Sequence, residues 1–592
     1  MLAHRLLFSL GRRPFSMSSL EELVATQTAL FNQLRESKAE ASVLDEAKKK
    51  LGELKKSLAL SKATGNASSK DGGKKRERML LKTAKDGGKK RERMLLKTAK
   101  GTRDFGPAEM ACRENIERTV KECFTTFGGS CLDTPVFERK DILTDKYGED
   151  AKLIFDLMDQ GGEQLALRYD HTVPLARYLA MAGGTNTQSK IWQVGKVYRR
   201  DNPVMSKGRM REFSQADFDI SGVWDPMIPD GEIISLVCTV LTKLNVGEFT
   251  VKINHRKILD GIFEVCGVPA DKIRSISSAV DKLDKLPWSE VKKEMTAEKG
   301  LDEEVADKIG EYVKHKGGPA LLEQLLADPN LTANASAKQG LDEMGLLFKL
   351  LRAYDVVDKL SFDLSLARGL DYYTGIIYEA VVAASAPPAL DASTAPKPKS
   401  KKPKKDGDED EEVDDSQVGV GSIAAGGRYD NLVGAFTAAA AAEGKKAPSI
   451  PCIGISFGLD RIFALLWPSW VERGGRTKGT IAYVMAAGDG LLEERIKLVR
   501  ELRDGGIKAD FLAKSKPKPK AQFDVIEADE VPFAVIIGAD ELKRGEVTVK
   551  EQTWQIVDGK REKVKNADQG TAISRAKLVE WIKSSAAYQT SL

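Results

Sequence analysis

The sequence predicts an α+β protein of several domains, in which an antiparallel sheet is divided by a helical insertion and followed by a smaller α/β domain. Two β-prone arms, 197–203 and 208–220, flank a polar loop in the pattern of a β-hairpin. Charged amphipathic segments fill residues 225–354, and short β-prone runs alternate with helical runs after residue 478. With 592 residues, 42% of them apolar, the chain is long enough to bury more than one core.

The polar face of the predicted hairpin is the first indication of function. Arginine, glutamine and aspartate occur at alternate positions of its arms, and alternate side chains of a strand share one face. The loop that joins the arms, 202–208, contains Pro, Ser, Lys and Gly. Such a face suits a polyphosphate, because arginine binds phosphate through paired hydrogen bonds.

Composition argues against several classes of protein. No apolar run reaches the roughly 18 residues of a membrane span, so no membrane partner is expected. The six cysteines show no CxxC spacing and the four histidines are scattered, so neither a disulfide framework nor a dedicated metal site is indicated. The net charge of +5 is modest, but lysines cluster locally, so a polyanionic partner would meet basic patches.

The first 17 residues have the composition of an organelle transit peptide. Arg5, Arg12 and Arg13 are interleaved with leucine and phenylalanine, and no acidic residue precedes Glu21. A frayed N-terminus is the alternative interpretation. A start at Met17 would remove the basic segment, so the sequence predicts a cytoplasmic protein that the Met1 start could also direct to the mitochondrion or another organelle.

Residues 18–62 predict a helical hairpin, because apolar residues recur at helical spacing in two stretches separated by a short polar break. Lysines crowd the second helix, so its face either contacts phosphate or is an ordinary solvated surface. A basic linker, 63–100, follows. Its residues 71–85 recur unchanged as 86–100, which indicates a recent duplication or an error of sequence assembly and not a structural repeat.

The central region predicts one β-rich core that is divided by two insertions. Short β-prone runs dominate residues 101–224 and return in 355–470, while 225–354 is helical and charged. Residues 385–418 predict a disordered loop, since lysines, prolines and acidic residues leave almost no apolar surface to bury. Residues 478–592 alternate strands and helices, as a compact α/β domain does.

Five motifs resemble those of the histidyl-tRNA synthetases, which are class II aminoacyl-tRNA synthetases. The segments DTPVFE, YRRDNP…REFSQADFDI and GISFGLDRIF resemble the three motifs of the class, and ARGLDYYTG and AAGGRYD resemble two peptides peculiar to the histidine enzyme. The resemblance covers most of the chain from Ser18 onward. It implies a class II antiparallel-sheet catalytic core with a helical insertion, an N-terminal helical hairpin that associates with tRNA, and a C-terminal α/β anticodon-binding domain.

By this resemblance the chain ligates L-histidine to its tRNA through a histidyl-adenylate. Because the histidine carboxylate itself attacks the α-phosphate of ATP, the protein needs positioned positive charge and no nucleophile. The resemblance makes Arg199 and Arg368 the catalytic residues at the α-phosphate and assigns the γ-phosphate to Arg461. Mg²⁺ would arrive with the ATP phosphates, so no dedicated metal site is implied.

The resemblance also implies a polar histidine site, which suits a ring that hydrogen bonds discriminate better than an apolar slot could. Tyr372 and Tyr373 would face the imidazole, with Tyr429 nearby. The other implied histidine-binding residues are Asp170, His171, Thr172, Arg199, Gln215, Asp219 and Arg368. Ser214, Met210 and His171 depart from the residue types that are usual in these motifs.

The implied partners are the tRNA for histidine and a second copy of the chain. The loop 202–208 would address the acceptor end of the tRNA, while the C-terminal domain would read the anticodon. The homodimer would form on the segment around Pro135. The alternative is a catalytically inactive, synthetase-like regulator that senses histidine or uncharged tRNA, but such a protein would be expected to lack one of the arginines or the C-terminal domain, and the sequence has all of them.

Overall fold

The computed structural model describes most of the chain from residue 96 onward. The described residues are 26, 28, 29, 32, 47, 51, 52, 96–144, 146–158, 161–183, 188–284, 286–367, 372–382, 421–440, 449–473, 478–488, 491–557, 560–564 and 570–589. Backbone contacts separate two units, Met1–Leu96 and Lys97–Leu592. The predicted transit peptide and disordered loop lie outside the described residues, as do nearly all of the predicted helical hairpin and duplicated linker.

The main sheet of the structure has nine strands in the order β1-β4-β5-β11-β10-β9-β6-β8-β7. The β1–β4 and β6–β8 pairs are parallel and the others are antiparallel, which confirms the predicted α+β class. The strands of the sheet are β1 (Ser130–Cys131), β4 (Ser189–Tyr198), β5 (Glu212–Ser221), β6 (Phe249–His255), β7 (Lys316–Gly317), β8 (Leu360–Asp363), β9 (Ile376–Val382), β10 (Ala424–Arg428) and β11 (Cys452–Gly458). A small separate sheet joins β2 (Phe137–Arg139) to β3 (Leu165–Leu167).

The predicted hairpin is present as the β4–β5 pair, but its first strand lies earlier than the predicted arm 197–203, because residues 199–203 belong to the connecting loop. Its two strands are antiparallel over ten residues each, from Ser189 opposite Ser221 to Tyr198 opposite Glu212. The connecting loop contains one turn of 3-10 helix, Met205–Lys207. Because β11 pairs with the other edge of β5, this strand lies inside the sheet and both of its edges are hydrogen-bonded.

Helices pack around this sheet. They are α1 (Pro107–Thr126), α2 (Lys140–Leu143), α3 (Thr172–Met181), α4 (Ile228–Leu244), α5 (Arg256–Cys266), α6 (Ile273–Val280), α7 (Trp288–Lys293), α8 (Glu303–Val313), α9 (Pro319–Leu326), α10 (Pro329–Ala333), α11 (Ala335–Ala353), α12 (Leu432–Ala440) and α13 (Leu459–Glu472). α1 packs on the centre of the sheet, where the ring of Phe124 lies 5.3 Å from that of Phe218 and 6.0 Å from that of Phe457. This apolar layer leaves the opposite face of β5 for polar side chains.

Residues 225–354 are mostly helical, but they also contribute two strands of the main sheet, β6 and the short β7, that the prediction missed. β6 pairs with β9 on one side and with β8 on the other, so it belongs to the main sheet. Its sequence FTVKINH alternates β-branched or aromatic residues with polar ones, which is the pattern of a strand. The helical character of the surrounding residues concealed it.

The C-terminal residues form a second α/β layer structure. Its sheet has the order β13-β12-β14-β15-β18, and its apolar residues pack in a core of their own. The elements are β12 (Ala482–Ala486), α14 (Leu492–Asp504), β13 (Ala509–Phe511), α15 (Pro519–Ala528), β14 (Phe533–Ile537), α16 (Ala539–Arg544), β15 (Glu546–Glu551), β16 (Trp554–Val557), β17 (Lys560–Lys563), β18 (Thr571–Ser574), α17 (Leu578–Ser584) and α18 (Ala586–Gln589). In the described part of the chain, no helix combines the length and apolarity that a bilayer crossing requires.

Candidate active site

The floor of the candidate site consists of three polar side chains on β5. Gln215, Asp217 and Asp219 occupy alternate positions of this strand, so they lie on one face of the sheet. Their exposed fractions are only 8%, 0% and 4%. Gly454 on β11 stands opposite Asp219, and a Cβ atom at Gly454 would overlap Oδ1 of that carboxylate. The glycine therefore makes room for Asp219.

One wall of the site is the segment that begins α3. Asp170 is buried, and its Oδ1 accepts hydrogen bonds from the hydroxyl of Tyr147 at 2.8 Å and from the amide of Val173 at 3.1 Å. Tyr147 was not expected from the sequence, because nothing in its neighbourhood resembles a motif. The contacts hold one carboxylate oxygen of Asp170 and leave the other for a further donor.

His171 lies in the same segment and packs against β4. Its Nε2 is 3.4 Å from the carbonyl oxygen of Gly195, and only 1% of the residue is exposed. Burial, together with the positive charge of Arg168, lowers the pKa of His171 to about 3. The ring is therefore neutral at physiological pH and adds no charge to the site.

Three tyrosines close the site from the other side. The ring of Tyr372 lies 5.1 Å from that of Tyr373 and 5.8 Å from that of Tyr429, both in edge-to-face geometry. The Tyr429 hydroxyl donates a hydrogen bond to Oδ1 of Asp219, and Tyr372 lies close enough to Thr172 for that hydroxyl to lower its pKa against the larger effect of burial. The structure thus brings together the predicted tyrosines and two of the predicted polar residues, although the chain separates them widely.

Three buried oxygen atoms at this site have no hydrogen-bond partner among the described residues: Oδ2 of Asp170, Oε1 of Gln215 and Oδ1 of Asp217; Nδ1 of His171 beside them has none either. An unsatisfied buried acceptor costs about 1–3 kcal/mol, so native proteins retain few of them without a reason. Sequence reasoning missed Asp217, yet its alternate position between Gln215 and Asp219 was a usable signal. The three atoms suit a ligand that carries several N–H donors.

The carboxylates of the site resist ionisation. Burial raises the pKa of Asp170 and raises that of Asp217 well above its ordinary range, the second with help from the neighbouring charge of Asp219. Burial raises the pKa of Asp219 to about 7, against the hydrogen bond from Tyr429. A cationic ligand would stabilise the ionised forms of these carboxylates and would therefore lower their pKa values when it binds.

Arg199 follows β4 and supplies a positive charge beside these carboxylates. Its Nε donates to the carbonyl oxygen of Tyr169 at 3.1 Å, and its guanidinium carbon lies 4.1 Å from the ring centre of Tyr169 and 5.3 Å from that of Phe213. Burial opposes the charge, but Tyr169, Asp170 and Asp201 outweigh it and the pKa of Arg199 is raised. Nε is the only nitrogen of this guanidinium that donates to a described residue.

A pair of arginines lies where the β4–β5 loop meets the start of α13. A Cβ atom at Gly421 would lie 3.0 Å from Nη2 of Arg209 and 3.9 Å from Nη1 of Arg461, so the two guanidinium groups flank the same glycine. Nη1 of Arg461 donates to the carbonyl oxygen of Ser422 at 2.6 Å. Nε of Arg209 is buried and lacks a hydrogen-bond partner in the described part of the chain. The sequence analysis did not single out Arg209, and its assignment of Arg461 to the γ-phosphate stays a prediction. Arg368 lies outside the described residues.

Ser214 lies on the face of β5 that points away from this site. Its amide donates to Oδ2 of Asp460 at 2.7 Å, and its hydroxyl accepts from Nη2 of Arg113 at 3.2 Å. Arg113 in turn forms an ion pair with Asp460. The departure of Ser214 from the usual residue type therefore changes a contact between β5, α1 and α13, and leaves the polar floor unchanged.

Comparison with known proteins identifies the family. A model described as histidyl-tRNA synthetase matches residues 101–391, and one described as an anticodon binding domain matches residues 481–585. The mitochondrial histidine–tRNA ligase of Saccharomyces cerevisiae is 50% identical over 478 residues, 79% of this chain and 84% of that protein. The cytoplasmic histidine–tRNA ligase of Takifugu rubripes is 49% identical over 456 residues, 76% of this chain and 83% of that protein.

A solved structure agrees with these sequence matches. The crystal structure of histidyl-tRNA synthetase from Nostoc sp. PCC 7120 superposes with a TM-score of 0.61 at 25% sequence identity, covering 83% of this chain and 99% of that one. The matched regions contain the β4–β5 hairpin, the tyrosine pair and the C-terminal α/β layers described above. The chain belongs to the histidyl-tRNA synthetase family.

Proposed function

We propose that the chain ligates L-histidine to its tRNA in two steps that share one site. In the first, a carboxylate oxygen of histidine attacks the α-phosphorus of ATP and pyrophosphate leaves, which forms histidyl-adenylate. In the second, a hydroxyl of the terminal ribose of the tRNA attacks the carbonyl carbon and AMP leaves. The observation that carries the proposal is the set of three unpaired buried acceptors facing a site that Arg199 borders.

The acceptors suit the ammonium group of the amino acid. A primary ammonium has three N–H donors, and Asp170, Gln215 and Asp217 each offer one acceptor atom without a described partner. Tyr372, with Tyr373 and Tyr429 beside it, would then face the imidazole ring, and Thr172 and Asp219 complete the polar lining. A site built from such groups rejects amino acids that cannot satisfy them, because each unpaired buried group costs free energy.

The arginines suit the phosphates. Arg199 is placed to stabilise the charge that develops on the α-phosphate, and Arg209 and Arg461 together form a clamp for the terminal phosphate. Arg368 at the α-phosphate remains a prediction from the resemblance, which loss of exchange in Arg368→Ala would test. Mg²⁺ enters as part of the MgATP substrate, since it binds mainly through phosphate oxygens.

The decisive experiment is histidine-dependent exchange of labelled pyrophosphate into ATP, followed by charging of the tRNA, with purified protein. The proposal expects exchange with histidine and none with other amino acids. Absence of exchange would favour the regulator that senses histidine or uncharged tRNA. Equal exchange with a second amino acid would refute the assignment of the site to histidine.

We expect the Michaelis constant for histidine to fall as the pH rises through about 7. The pKa of Asp219 in the folded protein is about 7, which is above its value in the unfolded chain. The unliganded protein therefore loses stability as the pH rises and this carboxylic acid ionises. Binding of an ammonium group favours the ionised form, and therefore strengthens over the same interval. Exchange assays at a series of pH values should show this dependence in the wild type and a weaker dependence in Asp219→Asn. The titration of free histidine affects both proteins equally, so it does not account for a difference between them.

The second copy of the chain is the proposed protein partner. Apolar side chains next to the first class motif are exposed: Phe137 on β2 by 53%, Met158 before β3 by 85% and Met181 on α3 by 75%. An ion pair of 2.6 Å between Arg177 and Glu138 holds α3 against β2. Apolar side chains exposed on neighbouring elements are typical of an interface.

Phe137→Glu is expected to halve the molecular mass measured by light scattering, because it would bury a charge in the proposed dimer interface. Val223→Glu is the matched control, since Val223 is also apolar and 72% exposed but lies elsewhere on the chain. A wild-type protein that is monomeric at micromolar concentration, or a Phe137→Glu protein with unchanged mass, would contradict the interface.

The proposed contact with the tRNA includes a basic edge of the C-terminal domain. Exposed lysines at 514, 516, 518 and 520 precede and begin α15, and buried Arg495 anchors their segment by donating to the carbonyl oxygens of Leu512 at 3.0 Å and Lys514 at 2.7 Å. This edge suits RNA phosphates.

We place the protein in the cytoplasm and, from the Met1 start, in the mitochondrion. Identical cytosolic signals from fusions that begin at Met1 and Met17 would exclude the second location.

A further inference from the structure

A buried chain of hydrogen bonds connects the first class motif to the wall of the histidine site. The Thr134 hydroxyl donates to Oε1 of Gln193 at 2.9 Å, and Nε2 of Gln193 donates to the carbonyl oxygen of His171 at 3.2 Å. The exposed fractions of these residues are 4%, 2% and 1%. Thr134 and Gln193 are separated by 59 positions in the sequence, and His171 lies between them, 22 positions before Gln193.

Arg168 makes a second connection between the same segments. Its Nη1 donates to the carbonyl oxygen of Thr134 at 2.7 Å, and its Nε donates to the carbonyl oxygen of Lys196 on β4 at 2.8 Å. Burial lowers the pKa of Arg168, and Asp133, with an oxygen 3.8 Å from Nη1, opposes that effect. Thr134 thus uses both its hydroxyl and its carbonyl group to hold the segment that begins α3.

The position of this network indicates what it does. His171 stands between Asp170 and Thr172, which form the wall of the histidine site, and its carbonyl group is the atom that Gln193 holds. Buried hydrogen bonds restrict the geometry of the groups that they join, whereas apolar side chains of the same volume would tolerate several arrangements. Gln193 lies on β4 directly opposite Asp217 of β5. Its side chain therefore connects the β5 floor of the site to the segment that begins α3.

We propose that Thr134 and Gln193 are positioning residues for histidine recognition. They touch no substrate; they set the distance between the α3 wall and the β5 floor, and so the fit of the ammonium group between Asp170 and Asp217. The proposal rests on the histidine site proposed above. Since Arg209 and Arg461 lie on other elements, the Michaelis constant for histidine should depend on the network more than that for ATP.

The test compares both Michaelis constants in the pyrophosphate exchange assay. Thr134→Val removes the hydroxyl at constant shape, and Gln193→Leu removes the donor to His171. We expect each to raise the Michaelis constant for histidine about threefold to tenfold, the range for loss of one buried hydrogen bond, with the constant for ATP within about twofold of wild type. Thr134→Ser keeps the hydroxyl and should restore the wild-type value.

A double variant shows whether Thr134 acts through Gln193. If it does, Thr134→Val combined with Gln193→Leu should be no worse for histidine than Gln193→Leu alone. Ser221→Ala is the matched control, because the Ser221 hydroxyl is buried and hydrogen-bonds to the Ser189 hydroxyl at 2.7 Å at the far end of the same two strands. It should lower thermal stability without changing the ratio of the two Michaelis constants.

The outcomes separate this inference from the function on which it rests. Unchanged histidine constants in folded Thr134→Val, or an equal rise in the constants for histidine and ATP, would overturn the positioning role while leaving the function intact. Thr134→Val decides the question alone if Gln193→Leu does not fold. Wild-type exchange that does not depend on histidine would instead overturn the proposed function.

Discussion

Arg199→Ala is expected to lower the rate of histidine-dependent pyrophosphate exchange by a factor on the order of a hundred to a thousand, the usual effect of removing one group that stabilises transition-state charge. The guanidinium is held by the carbonyl oxygen of Tyr169 and lies over the rings of Tyr169 and Phe213. Its other two nitrogens donate to no described residue, and we expect them to bind an α-phosphate. The rate should fall more than the affinity for either substrate, because the new charge appears only as the bond to phosphorus forms.

Arg200→Ala is the matched control for this variant. Arg200 is the next residue in the chain and carries the same charge, but it is exposed. Arg199→Lys should fall between wild type and alanine, since lysine keeps the charge but cannot bind two oxygens with a planar fork. Exchange in Arg199→Ala within about tenfold of wild type, or an equal loss in Arg200→Ala, would remove Arg199 from the catalytic role.

The β4–β5 hairpin could be predicted from the sequence because its signal is local. Alternating polar residues in two arms and a turn-rich loop specify a hairpin without reference to the rest of the chain. The same is true of the strands and helices of the C-terminal layers. β6 was missed because its seven residues lie inside a long helical region and pair only with β8 and β9, which come later in the chain.

The assembly of the site could not be predicted from local pattern. The hydrogen bond between Tyr429 and Asp219 joins residues 210 positions apart, and the contact of Arg209 with the start of α13 depends on how the loop folds back. The resemblance to the family motifs identified Asp219, Tyr429 and Arg461 as candidate site residues. It did not reveal Asp217, whose role follows from an unpaired oxygen that only the packed structure exposes.

Gly454 shows how a residue without a side chain can decide the chemistry of the site. The position faces Asp219 across the β5–β11 pair, and a Cβ atom there would overlap Oδ1 of that carboxylate. Gly454→Ala must therefore displace Asp219 from the Tyr429 hydroxyl. We expect the Michaelis constant for histidine to rise by on the order of a hundredfold, which corresponds to about 2.7 kcal/mol of binding free energy.

Gly345→Ala is the control, because its nearest neighbouring atom would lie 3.8 Å from the new Cβ and the position is in the middle of helix α11, where alanine is favoured. Exchange at a series of histidine concentrations, with thermal unfolding of the same samples, measures both effects. If Gly454→Ala acts through the carboxylate, adding it to Asp219→Ala should cost nothing further, since the side chain that it displaces is already absent. A folded Gly454→Ala protein with the wild-type constant for histidine would mean that Asp219 is not part of the histidine site.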